Sequence, residues 1–217
     1  MKYLTTLTLG LILFCLPTTQ ASAYSDPGIN KAVQTPTIAR VLGDVKVFRI
    51  NRFERAYRGM KLKKGDEIRT GRRGRAYIDF PDNSRVKLGN RSRFLVRDWG
   101  KTETGVFTST LRIFQGAFRY TAGILTSGLT ARRTSLTTRT AVLGVRGTDF
   151  WGRVGKDKTF FLLLEGEVSL APRYGEEIVY NDAGKAVNIN NSNISEPESM
   201  AMEAILPLAA ETEIKEL

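Results

Sequence analysis

The stretch Ala141–Leu170 restricts the fold of this chain more than any other segment. It contains two apolar, β-prone runs, and the second is short for a helix and has turn residues on both sides. The tetrapeptide Gly155–Lys158 between them has turn chemistry. Gly144 and Gly147 lie inside the first run and Gly166 breaks the second, and a glycine within a strand usually marks a bulge or a close backbone approach. The stretch therefore predicts a β-hairpin with kinked strands.

Short alternating segments fill the chain before this hairpin. Apolar residues alternate with polar ones over residues 76–80, 85–88 and 93–97, which predicts strands with one face in the core and the other in water. Strands of about five residues with turns about every 8–12 residues are typical of all-β proteins. We therefore predict a single all-β domain of short antiparallel strands, either a β-sandwich or solenoid-like. The sequence has no strict repeat that would support a regular solenoid.

The N-terminus has the three parts of a secretory signal peptide. Lys2 supplies a positive charge, residues 4–16 are apolar, and Ala21–Ala23 forms a small-x-small cleavage site. The apolar core is too short to span a bilayer, so we expect no transmembrane span in the mature chain. Cleavage would leave a periplasmic or secreted protein. It would also remove Cys15, the single cysteine of the sequence, so that no disulfide could form.

Four segments follow from this pattern. Residues 1–23 are the predicted signal peptide and residues 24–40 an extended lead-in. Residues 41–189 form the predicted all-β domain. Residues 190–217 are expected to be a linker and an acidic tail, with a short helix that Pro207 would end.

The residue types present exclude several kinds of catalytic site. The chain contains no histidine, and its cysteine belongs to the predicted signal peptide. The mature protein therefore lacks the commonest general base, a thiolate nucleophile and the commonest zinc ligands. Pairs of carboxylates such as Asp79 with Asp82 lie in turns and alternating strands, where solvated charges are the ordinary outcome. We predict no catalytic residues, no cofactor and no metal site, and hence a non-enzymatic protein.

Charge is distributed unevenly along the chain, whose net charge is +11. The segment Arg40–Lys101 has 19 Lys and Arg residues against 7 Asp and Glu, whereas Glu176–Leu217 has 2 against 9. A basic surface concentrates anions, which favours an anionic glycan or lipid or an acidic protein as ligand. Nucleic acid is disfavoured because no nucleic-acid-binding motif is present. The alternative is a solvated basic surface covered by the acidic tail.

Eight arginines in the basic segment lie on turns or on the polar sides of strands, where they could gather into one basic face. These predicted anion-binding residues are Arg69, Arg72, Arg73, Arg75, Arg85, Arg91, Arg93 and Arg97.

Four short motifs, in order along the chain, resemble those of the FecR domain family. Residues 62–70 (LKKGDEIRT) resemble the family's LxxGDxIxT turn, and residues 76–84 resemble its strand and DGS turn, with asparagine in place of glycine. Residues 111–118 resemble the LxxGxxR segment. Residues 145–150 (VRGTDF), followed by EGEV at residues 165–168, resemble the C-terminal signature. The motif residues, which we expect to be structural, are Gly65, Asp66, Gly116, Gly144, Arg146, Gly147, Thr148, Asp149 and Gly166.

This resemblance implies an all-β domain outside the cytoplasm that senses signals or contacts proteins rather than catalysing a reaction. Regulators of the family carry a cytoplasmic segment and a membrane span before the sensor domain, whereas this sequence begins with a predicted cleavable signal peptide. We therefore expect an exported FecR-like binding, sensing or interaction module of the bacterial cell envelope that acts through a partner protein. Strand edges could provide the contact by strand addition. Polyanion binding is the alternative function.

Arg146 is expected to be buried, because glycines flank it in an apolar strand. A buried guanidinium needs a carboxylate partner. Asp66 is the first candidate, followed by Asp149 and Asp79. The alternative is an arginine on the wet face of the strand.

Overall fold

The computed structural model describes residues 34–215. The predicted signal peptide and most of the predicted lead-in lie outside the described residues. Within them the chain forms 14 strands followed by one helix, which confirms the all-β class. The elements are β1 (Thr37–Leu42), β2 (Val45–Arg49), β3 (Arg52–Arg55), β4 (Asp66–Thr70), β5 (Arg75–Asp79), β6 (Arg85–Leu88), β7 (Arg93–Lys101), β8 (Val106–Thr121), β9 (Ala131–Thr137), β10 (Ala141–Val154), β11 (Thr159–Pro172), β12 (Ile178–Tyr180), β13 (Lys185–Ile189), β14 (Glu198–Ser199) and α1 (Met202–Thr212).

The strands form one continuous ladder. Its main path runs in the order β14-β13-β11-β10-β9-β8-β7-β4-β2-β3. The chain β1-β5-β6 joins this path at β8, and β12 joins it at β11. Strands β8 and β9 run parallel, whereas the other pairs in the described part are antiparallel.

Three long strands bend at glycines that have a positive φ. These are Gly116 in β8 (95°), Gly147 in β10 (62°) and Gly166 in β11 (88°), and this region of backbone conformation favours glycine. Before its bend β8 pairs with β7 and β9, and after it with β6 and β10. Strand β10 pairs first with β9 up to Val145 and then with β8 from Asp149 onward. The bends therefore connect two halves of the sheet. One half contains β2, β3, β4, β7 and the first part of β8, and the other contains β1, β5, β6 and the last part of β8.

Both halves of the sheet contribute to one hydrophobic core. Val47 and Phe94 come from one half and Ile78 and Phe118 from the other, and all four are fully buried in the same cluster. The Phe118 and Phe150 rings meet edge to face with their centroids 5.9 Å apart, a favoured aromatic geometry. A sheet that folds over a single core in this way is closer to the predicted sandwich than to the solenoid-like alternative.

The structure differs from the predicted boundaries at both ends of the domain. Strand β1 begins inside the predicted lead-in, because it pairs with β5 and fully buries Ile38. Helix α1 continues past Pro207, so the prediction that this residue ends the helix is wrong. Contacts with the sheet hold the later turns in place: the Arg75 guanidinium donates to the carbonyl oxygens of Glu211 at 2.8 Å and Ala210 at 3.4 Å. Over residues 34–215, no helix has the length and apolar character needed to cross a membrane.

Candidate functional site

The last FecR-like motif forms a β-bulge. Gly147 and Thr148 together lie opposite Gly166, between the pairs Arg146–Glu167 and Asp149–Glu165 of the β10–β11 ladder. The buried Thr148 hydroxyl donates to the carbonyl oxygen of Glu167 at 2.6 Å, which anchors the extra residue. A Cβ at position 166 would lie 2.8 Å from the carbonyl oxygen of Gly147. Both φ and space therefore require glycine here, and the bulge bends the hairpin.

Arg146 is exposed, so the prediction that it is buried and paired with Asp66 is wrong. The strand alternates normally at this point: Val145 faces the core, and its successor consequently faces solvent. The flanking glycines have other causes. Gly147 belongs to the bulge, and a Cβ at Gly144 would lie 2.4 Å from the Ser169 hydroxyl oxygen.

The carboxylates proposed as partners of Arg146 pair with other residues. Asp66, almost fully buried in the turn that follows Gly65, accepts hydrogen bonds from Arg49 Nε at 2.8 Å and from the Lys63 backbone N–H at 2.7 Å. Asp149 accepts two hydrogen bonds from Arg119 at 2.9 and 2.7 Å. These motif carboxylates therefore hold strands and turns together.

Two of the eight predicted anion-binding arginines share an internal carboxylate. Arg93 donates to both oxygens of Glu67 at 2.6 and 2.8 Å, and Arg69 donates to the same group. Burial raises the pKa of Glu67, but the hydrogen bonds from Arg93 and Arg69 outweigh it and hold the pKa below its ordinary value. The two arginines thus share one carboxylate, which offsets one of their two positive charges within the sheet.

Two more of the predicted arginines are also engaged. Arg85 is buried and donates to both oxygens of Asp79, at 2.5 and 2.9 Å. Arg75 binds the carbonyl oxygens at the end of α1. The remaining four are exposed and have no carboxylate partner within residues 34–215, so the eight do not form one basic face. These four are Arg72, Arg73, Arg91 and Arg97.

A different group of cations surrounds a cleft of about 480 Å³. We call it the basic cleft. Five of its lining residues are cations and one is a carboxylate, and the neutral residues Phe114, Gln115 and Asn191 complete it. The charged residues are Arg93, Arg112, Arg139, Lys156, Arg173 and Asp157.

Buried threonines hold together the elements that carry these cations. The Thr140 and Thr159 hydroxyl oxygens are 2.9 Å apart, and the Thr159 hydroxyl donates to Thr138 at 3.1 Å. This network joins the β9–β10 turn, which carries Arg139, to the β10–β11 hairpin. The Arg173 backbone N–H donates to the Thr140 carbonyl oxygen at 2.9 Å. The bend at Gly147 instead allows the Thr140–Thr159 contact, because these two threonines lie at opposite ends of the β10–β11 hairpin.

Arg112 packs against an aromatic ring that a second arginine of the cleft also contacts. Its guanidinium carbon lies 4.7 Å from the centre of the Phe114 ring, and that of Arg93 lies 4.4 Å from the same ring. The Arg112 Nε is buried and has no hydrogen-bond acceptor in the described part of the chain. Arg93 has Glu67 as its partner, whereas no carboxylate of residues 34–215 pairs with Arg112.

The chain is similar to one known protein family and to two solved structures. Residues 66–169 match the family model described as FecR protein. We refer to this matched part of the chain as the FecR domain. Two crystal structures of an anti-sigma factor candidate from Parabacteroides distasonis ATCC 8503, at 1.65 and 2.50 Å resolution, are also similar. Each has 13% sequence identity and a TM-score of 0.49, and the match covers 64% of this chain and 62% of the other. No curated protein matches the chain.

The basic cleft lies mostly within the FecR domain, yet sequence reasoning found only Arg93 among its cations. Arg112, Arg139 and Lys156 lie inside the matched region, and Arg173 follows it closely. They come from separate elements beyond the basic segment and form no local cluster of charge. The available signal was their position at turns and strand ends, which the fold of the FecR domain brings together.

The acidic C-terminal segment packs against other cations of the FecR domain. The Glu213 carboxylate accepts hydrogen bonds from Lys87 Nζ at 2.9 and 3.0 Å and from the Tyr77 hydroxyl at 2.8 Å. Glu211 forms an ion pair with Arg153. Burial, together with the nearby Glu213 charge, raises the pKa of Tyr77. The tail thus covers part of the basic surface, while no acidic residue of its described part, up to Lys215, lines the basic cleft.

Proposed function

We propose that this chain is a non-enzymatic regulatory module of the bacterial cell envelope that acts by binding a partner protein. The FecR domain carries the proposal, because this family is one of regulatory rather than catalytic proteins. The roles of the motif residues support it. Gly147 and Gly166 bend strands, Thr148 anchors the bulge, and Asp66 and Asp149 form ion pairs. None of them is left to act on a substrate.

Edge strand β3 is the contact surface that we propose. It is the last strand of the main path and pairs with β2 alone on that path. A two-residue turn joins the strands, so that Arg49 and Arg52 flank it, and the Ala56 N–H donates to the Val45 carbonyl oxygen. Antiparallel pairing alternates, so the N–H groups of Phe53 and Arg55 point away from β2. A partner strand could pair with them.

The side chains around β3 suit an extended segment that is both apolar and acidic. Ile50, Phe53 and Tyr57 are large apolar residues with 86%, 50% and 61% of their surface exposed. Ile50 also has a φ of 48°, which is unfavourable for a β-branched residue. Arg52 and Arg55 are exposed beside them. Exposed apolar groups next to cations at a free sheet edge are typical of a protein-contact site.

Site-specific photo-crosslinking in intact cells tests this proposal. A crosslinking residue at position 53 should capture one envelope protein, whereas the same residue at Tyr174, which is also exposed, should not. Arg55→Pro removes the outward N–H and should abolish the crosslink. Arg55→Gln keeps the N–H and should retain most of it. Equal capture by the two variants would contradict strand addition.

Export is part of the same proposal and has its own test. Removal of the predicted signal peptide after Ala23 would leave Tyr24 as the N-terminus. N-terminal sequencing and intact mass of protein from the periplasm would establish this. A protein that retains Met1 would contradict export by cleavage.

Polyanion binding is the second candidate function. The exposed arginines Arg72, Arg73, Arg91 and Arg97 favour it, because they lack carboxylate partners within residues 34–215. Binding to heparin should weaken steeply with salt, since the screening length falls from about 10 Å at 0.1 M to about 3 Å at 1 M. The double variant Arg72/Arg73→Ala should elute earlier. Retention that ignores both salt and this variant would reject these arginines as the binding surface.

A further inference from the structure

We propose that the basic cleft is a binding site for one phosphate or sulfate group, presented by an anionic glycan or a lipid headgroup. The proposal goes beyond the partner contact at β3, because no residue of that strand lines the cleft. It shares an anionic glycan or lipid as ligand with the second candidate function, but it assigns the binding to other residues.

The balance of charge in the cleft is the first argument. Its five cations face one carboxylate, Asp157. Arg93 has Glu67 as a partner, which leaves four cations against Asp157 alone. A cleft with walls of low dielectric focuses the field of such charges and attracts anions. Because Arg93 and Arg112 contact the same ring, their charges also repel each other at short range, and a bound oxyanion would offset that repulsion.

The unpartnered donor of Arg112 is the second argument. A buried N–H without an acceptor is costly in a folded protein and needs an explanation. The Arg112 Nε is such a group, and its residue lines the cleft. A guanidinium presents its donors in a planar fork that matches the oxygens of phosphate or sulfate. An oxyanion in the cleft would give this guanidinium the anionic partner that residues 34–215 do not supply.

The rigidity and size of the cleft are the third argument. The buried network of Thr138, Thr140 and Thr159 fixes the turns that carry Arg139 and Lys156. The cations are therefore positioned before a ligand arrives, which lowers the entropic cost of binding. A volume of about 480 Å³ is in the range of small-molecule sites, roughly 300–1,000 Å³. It exceeds a bare phosphate and could admit a phosphorylated or sulfated sugar.

The C-terminal segment distinguishes this cleft from its neighbour. The adjacent cleft is lined by Arg72, Arg91 and Arg153, and Glu211 of the chain's own tail enters it. Among residues 34–215, no carboxylate of the tail lines the basic cleft. An external anion is therefore the occupant that the charges favour.

Calorimetric titration of the full mature protein with inorganic phosphate at low salt tests the proposal. Wild type should show saturable binding that weakens as salt is added. Arg112→Gln should lower the affinity at least about tenfold, which corresponds to about 1.4 kcal/mol. Arg133→Gln is the matched control, because it removes the same charge from an exposed arginine outside the cleft. Thermal melting should show that both variants are folded.

A gain of binding provides a second measurement that misfolding cannot imitate. Asp157→Asn removes the one carboxylate of the cleft and should raise the affinity for phosphate severalfold. The proposal is overturned if wild type does not bind phosphate at low salt, or if Arg112→Gln and Arg133→Gln bind it equally. Arg72/Arg73→Ala should leave phosphate binding unchanged. If this variant alone loses binding, the cleft is rejected and the second candidate function stands.

Vesicles distinguish the two sources of the anionic group. Phosphatidylcholine vesicles with phosphatidylglycerol should retain wild type, and those without it should not, if the source is a lipid headgroup. Arg112→Gln should then release the protein from the anionic vesicles. If inorganic phosphate binding depends on Arg112 but vesicle binding does not, the proposal holds with a glycan as the source.

Discussion

Two groups of arginines in this protein have opposite electrostatic surroundings. Several on β4–β7 pair with carboxylates: Arg93, which also lines the basic cleft, pairs with Glu67, and Arg85 pairs with Asp79. A third buried pair joins Arg132 of β9 to Asp82. We call these three pairs the paired set. The five cations of the basic cleft share its lining with a single carboxylate, Asp157, and Arg112 has no carboxylate partner within residues 34–215. A count of basic residues along the sequence points to the first group, whereas the cleft gathers cations mostly from outside the basic segment, which such a count does not reveal.

Strand register explains the difference. Arg85 lies directly opposite Asp79 in the β5–β6 pair, and Arg69 lies opposite Arg93 with Glu67 close to both. Cross-strand neighbours are near enough to form ion pairs. Arg139 and Lys156 instead project from turns, where no ladder supplies a partner. The net charge of a segment thus reflects its composition, whereas whether a given charge is available to a ligand depends on which strand lies beside it.

The largest expected effect comes from removing the carboxylate of the most buried ion pair in the paired set. Asp82 is fully buried and Arg132 nearly so, and Arg132 Nε lies 2.9 Å from Asp82 Oδ2. Asp82→Ala leaves a buried guanidinium without its carboxylate and should cost roughly 3–5 kcal/mol of unfolding free energy. Urea denaturation measures it. The control Asp157→Ala, at the exposed hairpin tip of the cleft, should change stability by less than about 0.5 kcal/mol. Similar losses in the two variants would erase the contrast.

A second prediction breaks the bend on which the basic cleft depends. Gly166→Ala imposes a φ of 88° on alanine and places its Cβ 2.8 Å from the Gly147 carbonyl oxygen. We expect a loss of about 3 kcal/mol together with weaker phosphate binding. Gly184→Ala separates the two causes, because its φ is 78° but nothing lies within 4 Å of the added Cβ. That control should cost about 1 kcal/mol. Equal losses would show that the close approach at the bulge is unimportant.

A third prediction uses pH to titrate the paired set. Arg93 and Arg69 hold the pKa of Glu67 below its ordinary value despite burial, so the ionised carboxylate stabilises the folded state. This contribution is complete above the unfolded pKa of about 4.3 and is lost as pH falls through the lower folded pKa. The difference in unfolding free energy between wild type and Glu67→Gln should therefore be constant near neutral pH and shrink in acid. A difference that does not change down to about pH 3 would contradict the pairing.

The smallest expected effect on stability comes from a cation of the basic cleft rather than from the paired set. Arg112→Gln removes a charge that has no carboxylate partner and relieves repulsion with Arg93 at the Phe114 ring. Stability should change by less than about 0.5 kcal/mol, while phosphate binding falls. A large loss of stability would mean that Arg112 holds the fold together, as the paired set does.

The local sequence predicted the fold class correctly but predicted the surroundings of individual charged residues poorly. The alternation over residues 76–80 predicted β5, and Gly147 and Gly166 predicted a kinked hairpin, because both signals act within a few residues. The prediction that Arg146 is buried was wrong, since Gly147 belongs to a bulge and Gly144 leaves room for the Ser169 hydroxyl. Pro207 did not end α1, because Arg75, distant in sequence, holds its last turn.

The sequence by itself determined the all-β class, the positions of the bends and the FecR motifs, since these depend on side-chain period and on the backbone freedom of glycine. Only the tertiary structure decided which cations are available. Pairing of strands far apart in sequence gave Arg93 and Arg85 their carboxylates, and the same folding carried Arg139 and Lys156 to one cleft. Electrostatic energy depends on distance in space, and the distances between these charges exist only once the sheet has folded over its core.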